Sequence, residues 1–372
     1  MTSAPPGHST TVSRLPLAHL FRLTDVRGIF EHAEDDEPRT EHGYCVDDVA
    51  RALSFVVHEA AMTEEGTPHL TALIGTYLTF IERAIQPNGA THNRMNADGE
   101  WTDVAAGGDW WGRAIGALGT TAALATEPDV VERATRSFQR AARWDTPDMH
   151  ARLFAAVGAA DALAADVPRL AGAARRLIRR ADALVEPGLA AGPGEIAGSG
   201  AGVRRPTEST WPWPEPRLRY ANGIIPEALI AGGSAIGNTH MFDRGLRLLD
   251  FLLETVTVDG HLSLPGTEGW GPRDARPQFD QQPIEAAKLA QACARAWNLT
   301  GDTRWRDGVT LAWRWFLGDN DSGTRMVDLE TGAGYDGLMP SGRNSNRGAE
   351  STLAALSTHQ LVRQLGLTTE TS

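Results

Sequence analysis

The sequence of 372 residues is 41% hydrophobic and 22% charged, ordinary for a globular protein, and no apolar run approaches the roughly 20 residues that cross a bilayer. A formal net charge of −12 opposes phosphate backbones, which are bound by neutralising Lys and Arg, so nucleic acid is a poor partner. Two cysteines, Cys45 and Cys293, without CxxC spacing, speak against a disulfide framework and a zinc ribbon and fit a reducing cytoplasm.

Residues 1–13 have neither a basic start nor an apolar h-region, and are expected to be a disordered leader rather than a secretion signal. Helical spacing of apolar residues then runs from Leu15 to Leu23, and a segment apolar nearly all round follows from Asp48 to Ala60. The same alternation repeats along the chain. Amphipathic segments occupy Leu70 to Ile85, Val130 to Trp144, Ala171 to Leu184, Met241 to Val256 and Trp305 to Phe316. The apolar ones between and after them are Trp111 to Leu124, Ala151 to Leu163, Pro226 to Ile236, Pro283 to Trp297 and Gly348 to Leu365. A helix without a polar face must be buried, so the apolar set forms an inner layer and the amphipathic set an outer one.

Connections leading into the inner helices are mostly long, and long loops in a compact domain tend to be functional. They should emerge on one side of an all-α ring of helix pairs spanning residues 14–367, with a tail at 368–372. The Gly-, Ala- and Ser-rich stretch from Gly188 to Ser209 reads as a mobile loop of that single domain. Strand signals are sparse beyond short extended pieces in the loops.

Polar clusters stand at the entrances of the inner helices. The first, EHGYCVDDVARAL, holds His42, Tyr44, Asp47, Asp48 and Arg51. If Asp48 starts the helix as a cap, Asp47 projects into the central hollow. The second, GGDWWGR, offers Asp109, Trp110, Trp111 and Arg113, with Asp109 either accepting sugar hydroxyls or simply capping. Capping by Asp148 suffices to explain the third cluster.

Trp211 and Trp213 lie in WPWPEP, which its prolines keep extended, and Tyr220 and Asn222 follow; stacking on sugar and packing against the ring are equally good readings of the tryptophans. In FDQQPIEA, Pro283 suits the first helical turn, so Asp280, Gln281 and Gln282 should face the pore. Glu285, one turn deeper, is either a carboxyl with raised pKa or an arginine partner. The last cluster contributes Arg343, Asn346 and Glu350, and a carboxylate at a positive helix end tends to stay ionised.

Glycosidic hydrolysis needs one carboxyl to protonate the leaving oxygen and another to activate water or attack carbon. Asp47, Asp48, Asp280 and Glu350 are the catalytic candidates, with Glu285 in reserve. Asp319-Asn320-Asp321-Ser322-Gly323 departs from a calcium loop because its glycine is displaced by one position, so no metal and no cofactor is expected. P-loop, dinucleotide, HExxH and GxSxG motifs are absent. His42 beside Cys45 could indicate a cysteine nucleophile, but a buried thiol is commoner.

Four segments, HGYCVDDVARAL, WPWPEPRLRYANGIIPEAL, FDQQPIEA and YDGLMPSGRNSNRGAESTLA, resemble those of six-hairpin, (α/α)6-barrel glycosidase-like proteins, and span nearly the whole chain. The chain departs from them at Val49, where relatives usually carry Asn, and at Ala221, where they usually carry Asp. Within that family the likeness is to hydrolases of methylmannose polysaccharides. It implies cleavage of α-1,4-linked mannosides in the cytoplasm, with an aspartate of HGYCVDD in the catalytic role. Two rival functions stay open: a sugar epimerase on a related helical ring, which needs cavity-facing histidines, and a non-catalytic carbohydrate-binding protein.

Overall fold

The computed structural model describes residues 13–63, 68–185 and 211–367. Nearly all of the expected leader, the loop from Gly188 to Ser209 and the tail at 368–372 lie outside the described residues. Among the described residues twelve α-helices follow one another: α1 (Ala18–Leu23), α2 (Val46–Ala61), α3 (Pro68–Ala84), α4 (Asp109–Leu124), α5 (Pro128–Ala141), α6 (Met149–Ala164), α7 (Ala171–Val185), α8 (Ile224–Ile236), α9 (Thr239–Val256), α10 (Pro283–Thr300), α11 (Thr303–Leu317) and α12 (Ala349–Gln364). The even-numbered helices form a closed inner ring, each packed on two neighbours and α12 returning to α2. Helices α3, α5, α7, α9 and α11 back the inner helices that precede them, and α1 backs α12. The architecture is an (α/α)6 barrel.

Local chemistry explains the elements. On α5, Val130, Ala134, Phe138 and Ala141 recur at helical spacing and are buried, while Arg133, Arg136 and Arg140 take the other side. Asn238 caps α9 by accepting from Met241 N at 3.1 Å, and Asp302 caps α11 by accepting from Arg304 N at 3.1 Å. Pro283 occupies the first turn of α10, where its missing N–H costs nothing. Glycines let α4 and α6 touch backbone to backbone: a Cβ on Gly112 would lie 2.1 Å from Ala151 O, and one on Gly119 2.2 Å from Gly158 O.

Chain direction alternates, so the inner helices all start at one end of the barrel and the long loops gather there. Those loops are laced by two-residue antiparallel ribbons, of which Tyr44–Cys45 on Arg94–Met95 joins two different loops. Further bridges tie Leu218 to Trp270 and Gln281 to Leu338. Extended structure is therefore confined to loops among the described residues. Among them, too, no helix is long and apolar enough to cross a membrane.

Candidate active site

At the loop-covered end, α2, α4 and α12 and the loops around them surround a basin of about 330 Å³. Asp47 and Asp48 come from α2, Asp109 from α4, Glu350 and Ser351 from α12, and the connecting loops add Glu31, His32, Tyr220, Gln282 and Asp336. Six carboxyl groups thus face one small volume, three helices contributing acids where their partial positive charge favours anions.

Arg51, one turn into α2, organises the floor. Its Nη1 donates to Asp48 Oδ1 at 2.6 Å, and its Nη2 donates both to Tyr220 Oη at 2.6 Å and to Glu350 Oε2 at 2.5 Å. Tyr220 in turn donates to Glu350 Oε2 at 2.7 Å and accepts from Arg113 Nη2 at 3.0 Å. Arg113 also pairs with Asp47, Nε lying 3.2 Å from Oδ1, and its guanidinium covers the ring of Phe154 at 3.7 Å. The Arg113–Asp47 contact is an ion pair without hydrogen-bond geometry, so the buried Oδ1 of Asp47 keeps accepting capacity toward the basin.

The carboxyls are driven apart in proton affinity. Burial would raise Glu350, but Arg51, the Tyr220 hydroxyl and Arg113 outweigh it and hold the group below the ordinary carboxylate value. Burial raises Asp109, with Arg113 and His150 opposing only in part. Burial also pushes Asp48 up to about 6 against the pull of Arg51, and raises Asp336 despite the Gly348 N–H that its Oδ1 accepts at 2.8 Å. Loss of solvent lowers the pKa of His32, aided by neighbouring His42, which favours its neutral imidazole.

Of the residues singled out in the sequence, Asp47, Asp48, Arg51, Asp109, Tyr220, Gln282 and Glu350 line the basin, and Arg113 touches two of them. Asp48 is not a cap: Cys45 occupies the N-cap position without a side-chain bond, and Asp48 turns inward to Arg51 and accepts from Cys45 Sγ at 3.2 Å. Asp109 is likewise the first helical residue after Gly108, not a cap. Asp148 does cap α6, accepting from Ala151 N at 2.9 Å.

Several candidates are drawn into packing instead. Tyr44 is fully buried, stacks on Phe30 and donates to Asp25 Oδ2 at 2.7 Å. Trp111 is buried with Nε1 on Ala141 O at 3.1 Å, and Trp110 donates to Thr91 O at 2.8 Å. Trp211 and Trp213 pack on Phe251 of α9, so the proline-rich loop serves the wall rather than the basin. Gln281 is buried between Trp315 Nε1, Gln278 O and Asp321 Oδ2, and its neighbour Asp280 is exposed outside the basin.

Glu285 faces away too. It accepts from the amide of Ala221, from Asn222 N at 3.1 Å and from Asn222 Nδ2 at 2.7 Å, which buries Asn222 and fixes the turn that presents Tyr220. Ala221 there has φ of 51°, a left-handed conformation that an Ala tolerates only when held. Arg343 is exposed over the Tyr335 ring at 3.5 Å, and Asn346 accepts from Asp35 N at 3.0 Å, lacing loops together. His42 is exposed and meets His32 edge-on at 5.1 Å.

Glu31, His32, Asp336 and Ser351 were not singled out as site residues, although the YDGLMPSGRNSN segment contains Asp336 and the first long loop contains the other acid and its histidine. Ligand atoms of Glu31, Cys45 and Asp48 lie within 4.8 Å of one another. Their chemistry is already spent: Glu31 pairs with Arg94, and the Asp48 oxygens are shared by Arg51 and Cys45. Near Asp319, the calcium-like stretch is tied up internally, with Asp321 on His261 at 3.0 Å and on Gln281 at 2.6 Å.

No protein-family model matches the sequence, and no curated protein matches it either. Solved structures do. A sugar epimerase from a ruminal bacterium superposes with TM-score 0.65 at 13% identity, covering 94% of this chain and 95% of that one. The likeness is one of fold. Cellobiose 2-epimerase from Spirochaeta thermophila gives 0.63 at 13% identity over 93% of each chain. An α-1,6-mannanase from a Salegentibacter species gives 0.58 at 14% identity, over 94% of this chain and 96% of that one. That structure is of an inactive variant, with two adjacent aspartates replaced by alanine, in complex with α-1,6-mannotetrose.

Proposed function

We propose that the protein is a glycoside hydrolase, endo-acting on α-linked mannosides, with residues 14–367 as one catalytic domain working in the cytoplasm. One observation carries this reading: Glu350 and Asp109 share a basin in which their proton affinities are pushed in opposite directions. Such divergence marks an acid and a base. Asp109 protonates the glycosidic oxygen as the bond to the anomeric carbon breaks. Glu350, kept anionic by Arg51 and Tyr220, acts through Oε1, because both of those bonds engage Oε2: it either takes a proton from the water that bonds to the anomeric carbon, or bonds to that carbon itself and is released by a water that the now anionic Asp109 deprotonates. Oδ1 of Asp47, ion-paired with Arg113 but with no hydrogen bond in good geometry, receives a sugar hydroxyl.

The family resemblance of the sequence motifs supports mannose as the sugar and α-1,4 as the linkage, with methylmannose polysaccharide or mannooligosaccharides as substrate. Asp47 and Asp48 are adjacent aspartates, as are those changed in the inactive mannanase. Incubation with defined α-1,4- and α-1,6-mannooligosaccharides tests the proposal. New reducing ends are expected, with the product anomer read by NMR; their absence on every mannoside rejects it.

A sugar epimerase is the second reading, favoured by His32 in the basin with His42 against it. An epimerase moves a proton at carbon. It would therefore incorporate solvent deuterium into a free reducing sugar without forming new reducing ends.

A further inference from the structure

Beneath the basin lies a second chamber, of about 680 Å³, running along the barrel axis to the C-terminal ends of the inner helices. Arg51 borders both spaces, and Arg113 and Arg51 together roof the lower one. At its far end Ala164, Asn298, Leu299 and Gln364 are exposed, so it opens to solvent on the face opposite the long loops. Its bore exists because the inner helices turn small residues inward, among them Ala117, Ala287, Ala294 and Ala354. None of the chemistry assigned to the basin uses this space.

Two of its groups are anomalous for a mere void. Glu227, in the first turn of α8, is 5% exposed, and its Oε2 is buried without a hydrogen-bond partner. A carboxylate so placed ordinarily has a donor. Among the described residues, Lys288 of α10 donates to the neutral Gln291 Oε1, at 2.6 Å, and forms no ion pair with Glu227 within 4.0 Å. Burial lowers Lys288 to about 8, with Glu227 pulling the other way, so the ammonium keeps its proton at neutral pH. The other carboxylate of the chamber is already matched, Asp161 by Arg295 at 2.8 Å and by the Thr120 hydroxyl at 2.7 Å.

We propose that this lower chamber is a second binding site, taking a small uncharged polyhydroxylated molecule of one or two sugar rings between Glu227 and Lys288. An anion would be opposed by Glu227 and a cation by Lys288 and the arginines of the roof. A hydroxyl serves both, donating to the carboxylate and accepting from the ammonium. Ser54, Ser357 and Gln291 extend neutral hydrogen-bonding groups around the same wall, which suits many hydroxyls better than the two opposite charges of a zwitterion. The volume falls within the roughly 300–1,000 Å³ of small-molecule sites.

Isothermal titration of the full chain with D-mannose, D-glucose, glycine and inorganic phosphate tests this assignment. A sugar should bind the wild type and Glu350→Gln equally, and at least tenfold more weakly in Glu227→Gln, Lys288→Met and Ala294→Leu. Ala294→Leu narrows the chamber while leaving every charged residue in place, so it decides the matter if a charge variant fails to fold. Absence of sugar binding, loss confined to Glu350→Gln, or binding of glycine or phosphate in place of sugar would each overturn the proposal. Hydrolysis of mannosides is read separately, so the upper basin and the lower chamber stand or fall independently.

Discussion

Arg51 Nη2 lies 2.5 Å from Glu350 Oε2, joining the second turn of α2 to the first turn of α12 through two residues 299 positions apart in the chain. The guanidinium is the main influence opposing the burial that would otherwise protonate Glu350. Arg51→Met should therefore raise the Glu350 pKa. The acidic limb of the kcat/KM profile, which reports the base losing its proton, should move to higher pH, and activity at neutral pH should fall about 100-fold. An unmoved limb would remove Glu350 from the role of base.

Asp109→Asn should abolish proton donation while leaving the base intact. Natural mannosides, with poor leaving groups, should lose about 100- to 10,000-fold in kcat/KM. An aryl mannoside, whose leaving group needs little protonation, should lose far less. Equal losses on both substrates would place the acid elsewhere, with Asp336 next in line.

Glu285 has its carboxyl raised from 4.5 to about 7, chiefly by burial and in spite of the amides it accepts from. The folded state therefore binds this proton more tightly than the unfolded chain does. Its stabilising contribution is complete below 4.5 and is lost as the pH rises through about 7. Urea unfolding at about pH 5 and about pH 8 should show the wild type losing stability relative to Glu285→Gln over that interval. The variant should also loosen Tyr220, lowering kcat more than it changes KM.

Trp213 is 2% exposed and packed against Phe251. Trp213→Ala should destabilise by about 3–5 kcal/mol in denaturant titration. KM for an oligosaccharide should be unchanged at a temperature where the variant stays folded. A raised KM with unaltered stability would return this loop to the substrate.

The ring was legible because its two helix types differ in burial demand. A face-segregated helix such as α5 and an all-apolar one such as α6 cannot exchange layers. The start of α10 was readable from Pro283, and Asp148 was readable as a cap. What the pattern could not divide was adjacent aspartates or paired tryptophans. Whether Asp48 caps or turns inward depends on Arg51 and Cys45 being in reach, and whether Trp211 stacks on sugar or on Phe251 depends on α9, 40 positions on. Glu31, His32 and Asp336 reach the basin only through loop packing, such as the bond from Ala349 N to Glu31 O at 3.0 Å, which no local spacing encodes.

A phenol carries a single hydrogen, and two guanidinium groups already point theirs at the oxygen of Tyr220. Its own hydrogen then has one direction left, toward Glu350. Oε2 of that carboxylate is thereby engaged, and an incoming ligand meets Oε1. Under the proposed reaction, the direction from which Glu350 can be engaged is thus set by a tyrosine of the same basin.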